Sequence, residues 1–213
     1  MEMIIQSTSD FEIDGAGNAP TWKGAKWHNL TLVGGESGYT SRCKLLYSRS
    51  GIYFLFECDD ELLKCTITKD QENIFNEDVV EVFLWPEESQ QTYFEYEISP
   101  LDVELTILVA NAQGTFYGWL PWHYEGERKT RHATAVRGGP RKSMAKIEGW
   151  STEFFIPFAL LKGLNNMPPA PGMRWRANMY RIDYDHGGTH WAWCPDTGAN
   201  FHNIAGFGTI IFA

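Results

Sequence analysis

Along most of the chain, apolar and polar positions alternate with a period of two, the spacing of β-strands whose successive side chains point to opposite faces. In DVVEVFLW, Val80, Val82 and Leu84 share one side, while Val79, Glu81, Phe83 and Trp85 share the other. TYFEYEIS divides in the same way, with Phe94, Tyr96 and Ile98 against Tyr93, Glu95, Glu97 and Ser99. The acid-free set of each strand is a core face, and the acid-bearing set is expected to be partly exposed. CKLLYS and GIYFLFECDD, joined through Ser48-Arg49-Ser50-Gly51, form a hairpin pattern, and ELTILVA extends TYFEYEIS into a meander. Strand patterns resume at Ile147 to Ile156, in MRWRANMYRID and in GTIIFA. Pro157 to Leu161 predicts one short helix with proline at its first position. Residues 112–145 read as an irregular excursion, a long loop or a hairpin extension over one face. About nine to eleven strands with turn-rich connections predict an all-β fold of two packed antiparallel sheets.

The same alternation places charge. A symmetric connection over residues 86–92 sets Glu81 opposite Glu97, with Cβ atoms about 5 Å apart. Like charges there destabilise a sheet, so an arginine, a bound cation, a shared proton or ligand hydroxyls must offset them. RWRANMYRID supplies a polar face of Arg174, Arg176, Asn178 and Tyr180 against Trp175, Ala177 and Met179. A groove holding Glu81, Glu97, Arg176, Asn178 and Tyr180 beside aromatic rings would suit a neutral polyhydroxylated molecule, because hydroxyls need fixed partners and sugar C–H faces lie flat on rings. An ordinary solvated sheet face accounts for the same pattern.

Composition narrows the partners. The 213 residues fit a single domain, 1–213, of a size common for all-β architectures. With 27 acidic against 18 basic residues and a formal charge of −9, the chain lacks the basic surface that nucleic acid demands. No apolar run approaches the roughly 18 residues of a membrane span. The N-terminus MEMIIQSTSD has neither a basic leader nor a long apolar region. Cys43, Cys58, Cys65 and Cys194 show no metal-binding spacing. A Cys43–Cys58 bridge is possible across the hairpin, although buried free thiols are the expected state.

The order IDG (Ile13-Asp14-Gly15), Trp22, KLLYS, GIYFLFECDD, IFNEDVVEVFL, YEISP, GWSTEFFIPFALL, PGMRWRANMYRID and NFHNIAGFGTIIF resembles carbohydrate-binding module family 9 and its relatives over almost the whole chain. The resemblance implies an immunoglobulin-like β-sandwich that binds plant-type or other polysaccharides such as xylan, often at chain ends, without catalysis. It also implies a partner glycoside hydrolase acting on the same polysaccharide and a secreted or periplasmic setting, with a cytoplasmic one left open. In the family a ligand lies between two tryptophans, whose positions match Phe75 and Phe201 here. Its strand glutamate matches Glu81 and the preceding aspartate Asp78. A sugar-gripping arginine falls at Glu97, a reversal of charge, while a glutamine matches Tyr180 and a loop asparagine falls near Gly198. Structural calcium is implied, with no organic cofactor; Asp14, Asp59 and Asp60 offer oxygen ligands, although turn capping explains them equally well.

Other chemistries start from the same residues. Glu81 and Glu97 could flank a glycosidic bond as acid and nucleophile, and Met179 could ligate haem between the sheets of a related sandwich. His186 and His190 in HGGTH form a turn that lacks a third metal ligand. Trp119, Trp122, Trp191 and Trp193 are expected to fill core, with a subset available as a stacking platform.

Overall fold

A computed structural model describes residues 1–122, 125–185 and 187–213. Strand β1 (Glu2–Ser7) links two layers: residues 2–5 pair in parallel with β14 (Gly208–Phe212), and Gln6 and Ser7 pair in parallel with β4 (Ser41–Tyr47). From β14 the first layer continues through β12 (Arg174–Asp183), β6 (Val79–Trp85), β7 (Thr92–Ile98), β8 (Glu104–Ala112) and β9 (Thr115–Pro121). From β4 the second continues through β5 (Gly51–Cys58), β11 (Gly149–Pro157) and β10 (Arg131–Arg137). Short β2 (His28–Asn29) pairs with β4, while β13 (Thr189–Ala192) joins β12 to β3 (Thr31–Gly34). The paired strands on either side of β1 are antiparallel.

The layers meet along the acid-free faces. Val80, Val82, Leu84, Phe94 and Tyr96 pack against Phe54, Phe56 and Phe154, and the Tyr96 and Phe154 rings cross the interface at 4.6 Å. Burying each such side chain contributes about 2 kcal/mol.

The opposite face of β6 and β7 is not the partly exposed surface that alternation predicts. Phe83, Tyr93, Leu105, Ile107, Phe201 and Phe207 form a second core there, because the chain from Cys194 to Phe207 folds back over the sheet. The outer face of β5 is covered likewise, with Tyr53 and Leu55 packed against Trp22 of the N-terminal segment. Alternation separates the faces of a strand and is silent about which loops later cover them.

Local expectations divide. The hairpin β4–β5 and the meander β6–β7–β8 form as the pattern requires. Residues 158–161, where the sequence predicts a helix, are turns closed by bonds such as Leu161 N–H to the Phe158 carbonyl; the helical segments among the described residues are short 3-10 turns. The stretch 112–145 carries β9 and β10, which extend the two sheets, rather than an irregular loop. All four cysteines are buried free thiols.

Candidate functional site

Register builds the site from β6 outward. Glu81 stands opposite Glu97 on β7 and opposite Tyr180 on β12, and Glu95 faces Phe83 one step along the ladder. Period-two spacing therefore gathers Glu81, Glu95 and Glu97 on one face. They are 3%, 4% and 0% exposed. Burial pushes all three carboxyl groups up, Glu95 to about 8, and repulsion from Glu95 adds to the rise at Glu81 and Glu97. The Glu95 and Glu97 carboxyl groups lie within hydrogen-bonding reach of each other, so a proton held by one is met by the other.

Above these acids lies a cavity of about 410 Å³ lined by Glu81 and Glu95 together with Phe75, Phe201, Trp119 and Tyr184. Two tyrosines fix its opposing rings. The Tyr180 hydroxyl donates to the Phe201 carbonyl at 3.0 Å, and its ring stacks on Phe201 at 3.9 Å and 14°. Four residues on, the Tyr184 hydroxyl donates to the Phe75 carbonyl at 2.9 Å, and Trp119 of β9 meets Phe75 edge-on. On the far side His202 lies between Phe83 and Phe116, stacked on both, and its Nδ1 is hydrogen-bonded to the Tyr93 hydroxyl. Burial lowers the His202 pKa to about 4, so at neutral pH it offers a ring and no charge.

Phe75, Glu81 and Phe201 thus line one cavity, as the resemblance implies for the matching positions. Five other site residues stand elsewhere. Tyr180 is sealed behind Phe201. Glu97 is fully buried and outside the lining, although Glu95, two residues earlier on the same strand, belongs to it. Asp78 accepts the backbone N–H groups of Lys64 and Tyr184, so it seats Tyr184 rather than facing the cavity. Arg176 reaches away from the acids and donates to the carbonyls of Ile204, Ala205 and Phe207, gripping the turn behind Phe201. Asn178 is buried, bonded to Cys194.

Glu95 was legible in the sequence by its shared face with Glu81, whereas Trp119, Tyr184 and His202 come from segments whose convergence no periodicity encodes. Trp191 and Trp193 fill the inter-sheet core, with Trp122 packed at its margin.

Among the metal candidates, Asp14 accepts from Ala16 N–H and Asn18 and so caps its own turn, whereas Asp59 accepts from Thr40, nineteen residues away, and faces Arg137. Asp60 instead joins Asp78 and Asp185, with ligand oxygens within 4.8 Å of one another. Arg181 already pairs with Asp60 at 3.3 Å and with Asp183 at 2.6 Å, yet burial and neighbouring acids still raise Asp60 to about 8 and Asp78 to about 7. Oδ1 of Asp185 is buried without a partner, so this donor set fits a hard cation that takes oxygen ligands. His186 lies outside the described residues, and His190 lines the cavity.

The competing chemistries fail on position. Met179 is buried in the packed inter-sheet core, so haem would have to part the sheets to reach it. Glu97 shares no open space with Glu81 across which a glycosidic bond could lie.

The cavity lies over the outer face of one sheet of a β-sandwich, walled by aromatic rings and floored by acids. The chain belongs to the carbohydrate family 9 binding domain-like family, whose model matches residues 13–213. As a member of a family of non-catalytic modules, it is a binding domain and not an enzyme. Its fold is similar to that of a candidate carbohydrate-binding protein from Bacteroides uniformis ATCC 8492, at 14% identity and a TM-score of 0.80 over 100% of this chain and 99% of that one. It is also similar to a family 9 module from Caldicellulosiruptor kristjanssonii solved with cellotriose (16% identity, TM-score 0.69, 100% and 93% coverage) and with glucose (15%, 0.71, 100% and 96%). No curated protein matches the chain in sequence.

Proposed function

We propose that this domain holds one sugar ring, at the end of a chain or free, in the cavity between Phe75 and Phe201, with Glu81 accepting hydrogen bonds from its hydroxyls. The observation that carries this reading is the convergence of two rings from distant loops on one cavity of about 410 Å³ with Glu81 in its lining. Ring faces suit the C–H surface of a pyranose, and a carboxyl group held in place gives its hydroxyls direction. The matched family and the glucose and cellotriose complexes of the Caldicellulosiruptor modules support the ligand class. In this reading the domain serves polysaccharide degradation by keeping a glycoside hydrolase near its substrate, and calcium binds at Asp60, Asp78 and Asp185.

Titration calorimetry against glucose, xylose, cellotriose and xylotriose tests the proposal. Saturable binding that Phe201→Ala weakens about tenfold or more, the loss of one stacking contact of about 1.4 kcal/mol, supports it. Silence across the panel at millimolar concentration sinks it.

A further inference from the structure

Strand β9 breaks the alternation that governs the rest of its sheet. Phe116 and Trp119 lie three residues apart, a spacing that puts side chains on opposite faces of a regular strand, yet both line the cavity. A β-bulge is the cause. Val109 of β8 pairs with Trp119 and Ala110 with Gly118, but Asn111 pairs with Phe116, and Tyr117 is the extra residue left between. Gly118 carries the bend at a φ of +113°, an angle that residues with a side chain rarely adopt, although the space beside it is open. In a regular ladder Tyr117 would stand opposite Asn111, and Phe116 would point away from the site.

The ring turned in by the bulge is placed unlike the others. Phe116 is 43% exposed, and among the described residues it is the one exposed large apolar side chain that lines the cavity. One of its faces stacks on His202 at 4.2 Å and 21°. His202 is itself fixed: it stacks on Phe83, its Nδ1 meets the Tyr93 hydroxyl, and its carbonyl accepts the amide of Asn111, the residue paired with Phe116. Phe116 therefore rests on a preformed support, and a ligand need not order it. It stands two ladder positions from Trp119, about 7 Å along the strand, the length of one further sugar unit.

We propose that the ligand is a saccharide chain and not a lone sugar, with its end ring between Phe75 and Phe201 and the next ring lying on the open face of Phe116. The inference rests on the saccharide reading and deepens it. A cavity of about 410 Å³ is at the small end of the range for ligand pockets and takes one ring, so a second lies outside it. There an exposed aromatic face offers the C–H side of the second ring a stacking partner.

Calorimetric titration of the whole chain with glucose against cellotriose, and with xylose against xylotriose, tests the proposal. The expected result is a trisaccharide Kd at least about fivefold tighter than that of the matching monosaccharide in one series or both, the gain from one added stacking contact. In Phe116→Ala that ratio falls towards one, and Phe116→Tyr keeps it. Phe116→Leu, which retains an apolar contact with His202 but has no flat face, loses the ratio as well and serves where Phe116→Ala does not fold; thermal melts check both. Equal affinities for monosaccharide and trisaccharide in both series overturn the inference and leave the one-ring reading standing, as does a ratio that the Ala and Leu variants leave intact. Absence of binding by all four sugars overturns both.

Discussion

Glu97 occupies a hard place for a carboxyl group: fully buried, opposite Glu81, with the acidic side chain of Glu95 as its side-chain hydrogen-bond partner. Its proton is held more tightly in the folded chain than in the unfolded one. A carboxyl raised in this way contributes stability that is complete below its unfolded value and is lost as pH rises through the folded one. For Glu95 that window runs from 4.5 to about 8, and for Glu81 and Glu97 it opens upward from 4.5 in the same direction. The amide in Glu97→Gln resembles the protonated acid and cannot ionise. It is therefore expected to change stability by less than about 1 kcal/mol near pH 6 and to gain about 1 to 3 kcal/mol over the native protein at alkaline pH. Denaturant melts at both values check this, and a variant that loses ground as pH rises contradicts it.

Loops hold the site's rings, and one strand holds the loops. From β12, Tyr180 and Arg176 secure the segment carrying Phe201, and just beyond its end Tyr184 secures Phe75. Arg176 reaches three carbonyls of one turn through a single terminal nitrogen, Nη2, which stands one atom further along the side chain than a lysine ammonium would. Arg176→Ala is expected to cost about 1 to 3 kcal/mol of stability and to weaken saccharide binding about tenfold, although Arg176 does not line the cavity. Arg176→Lys recovers little of either. Melts paired with calorimetry distinguish this positioning role from a direct ligand contact, which would reduce affinity and leave the melt unmoved. A second tie joins the layers: His132 of β10 contacts Asp102 at 3.0 Å and Glu104 at 3.6 Å and is raised to about 10 by them against the cost of burial. The stability this adds is complete below 6.5 and is lost as pH approaches about 10. The decline in stability across that range is expected to be shallower in His132→Gln.

At the scale of the molecule, Asp60 follows β5 of one layer, while Asp78 precedes β6 and Asp185 follows β12 of the other. A cation shared by the three would fasten the layers at one end of the sandwich. Because a ligand that binds only the folded chain stabilises it by mass action, calcium at a hundred times its Kd adds about 2.7 kcal/mol. That corresponds to a rise in Tm of roughly 5 to 10 °C. Calcium is expected to raise Tm relative to chelator in the native protein and to leave Asp185→Asn unmoved. Equal melts with and without calcium in the native protein would remove the cation from this account.

The alternation of DVVEVFLW and TYFEYEIS by itself determined the meander, the inner face of the sandwich and the pairing of Glu81 with Glu97, because strand geometry forces side chains to opposite sides and a short turn fixes register. It left open what covers the acid-bearing face. Burial of that face depends on the chain after Cys194 folding back, held by Arg176 and Tyr180 across more than twenty residues of sequence. The roles of Asp78 and Arg176 were settled in the same way, since polar side chains on a strand serve ligand or backbone according to which loop arrives above them. Distance along the chain carries no record of such meetings, and the tertiary fold alone decides them.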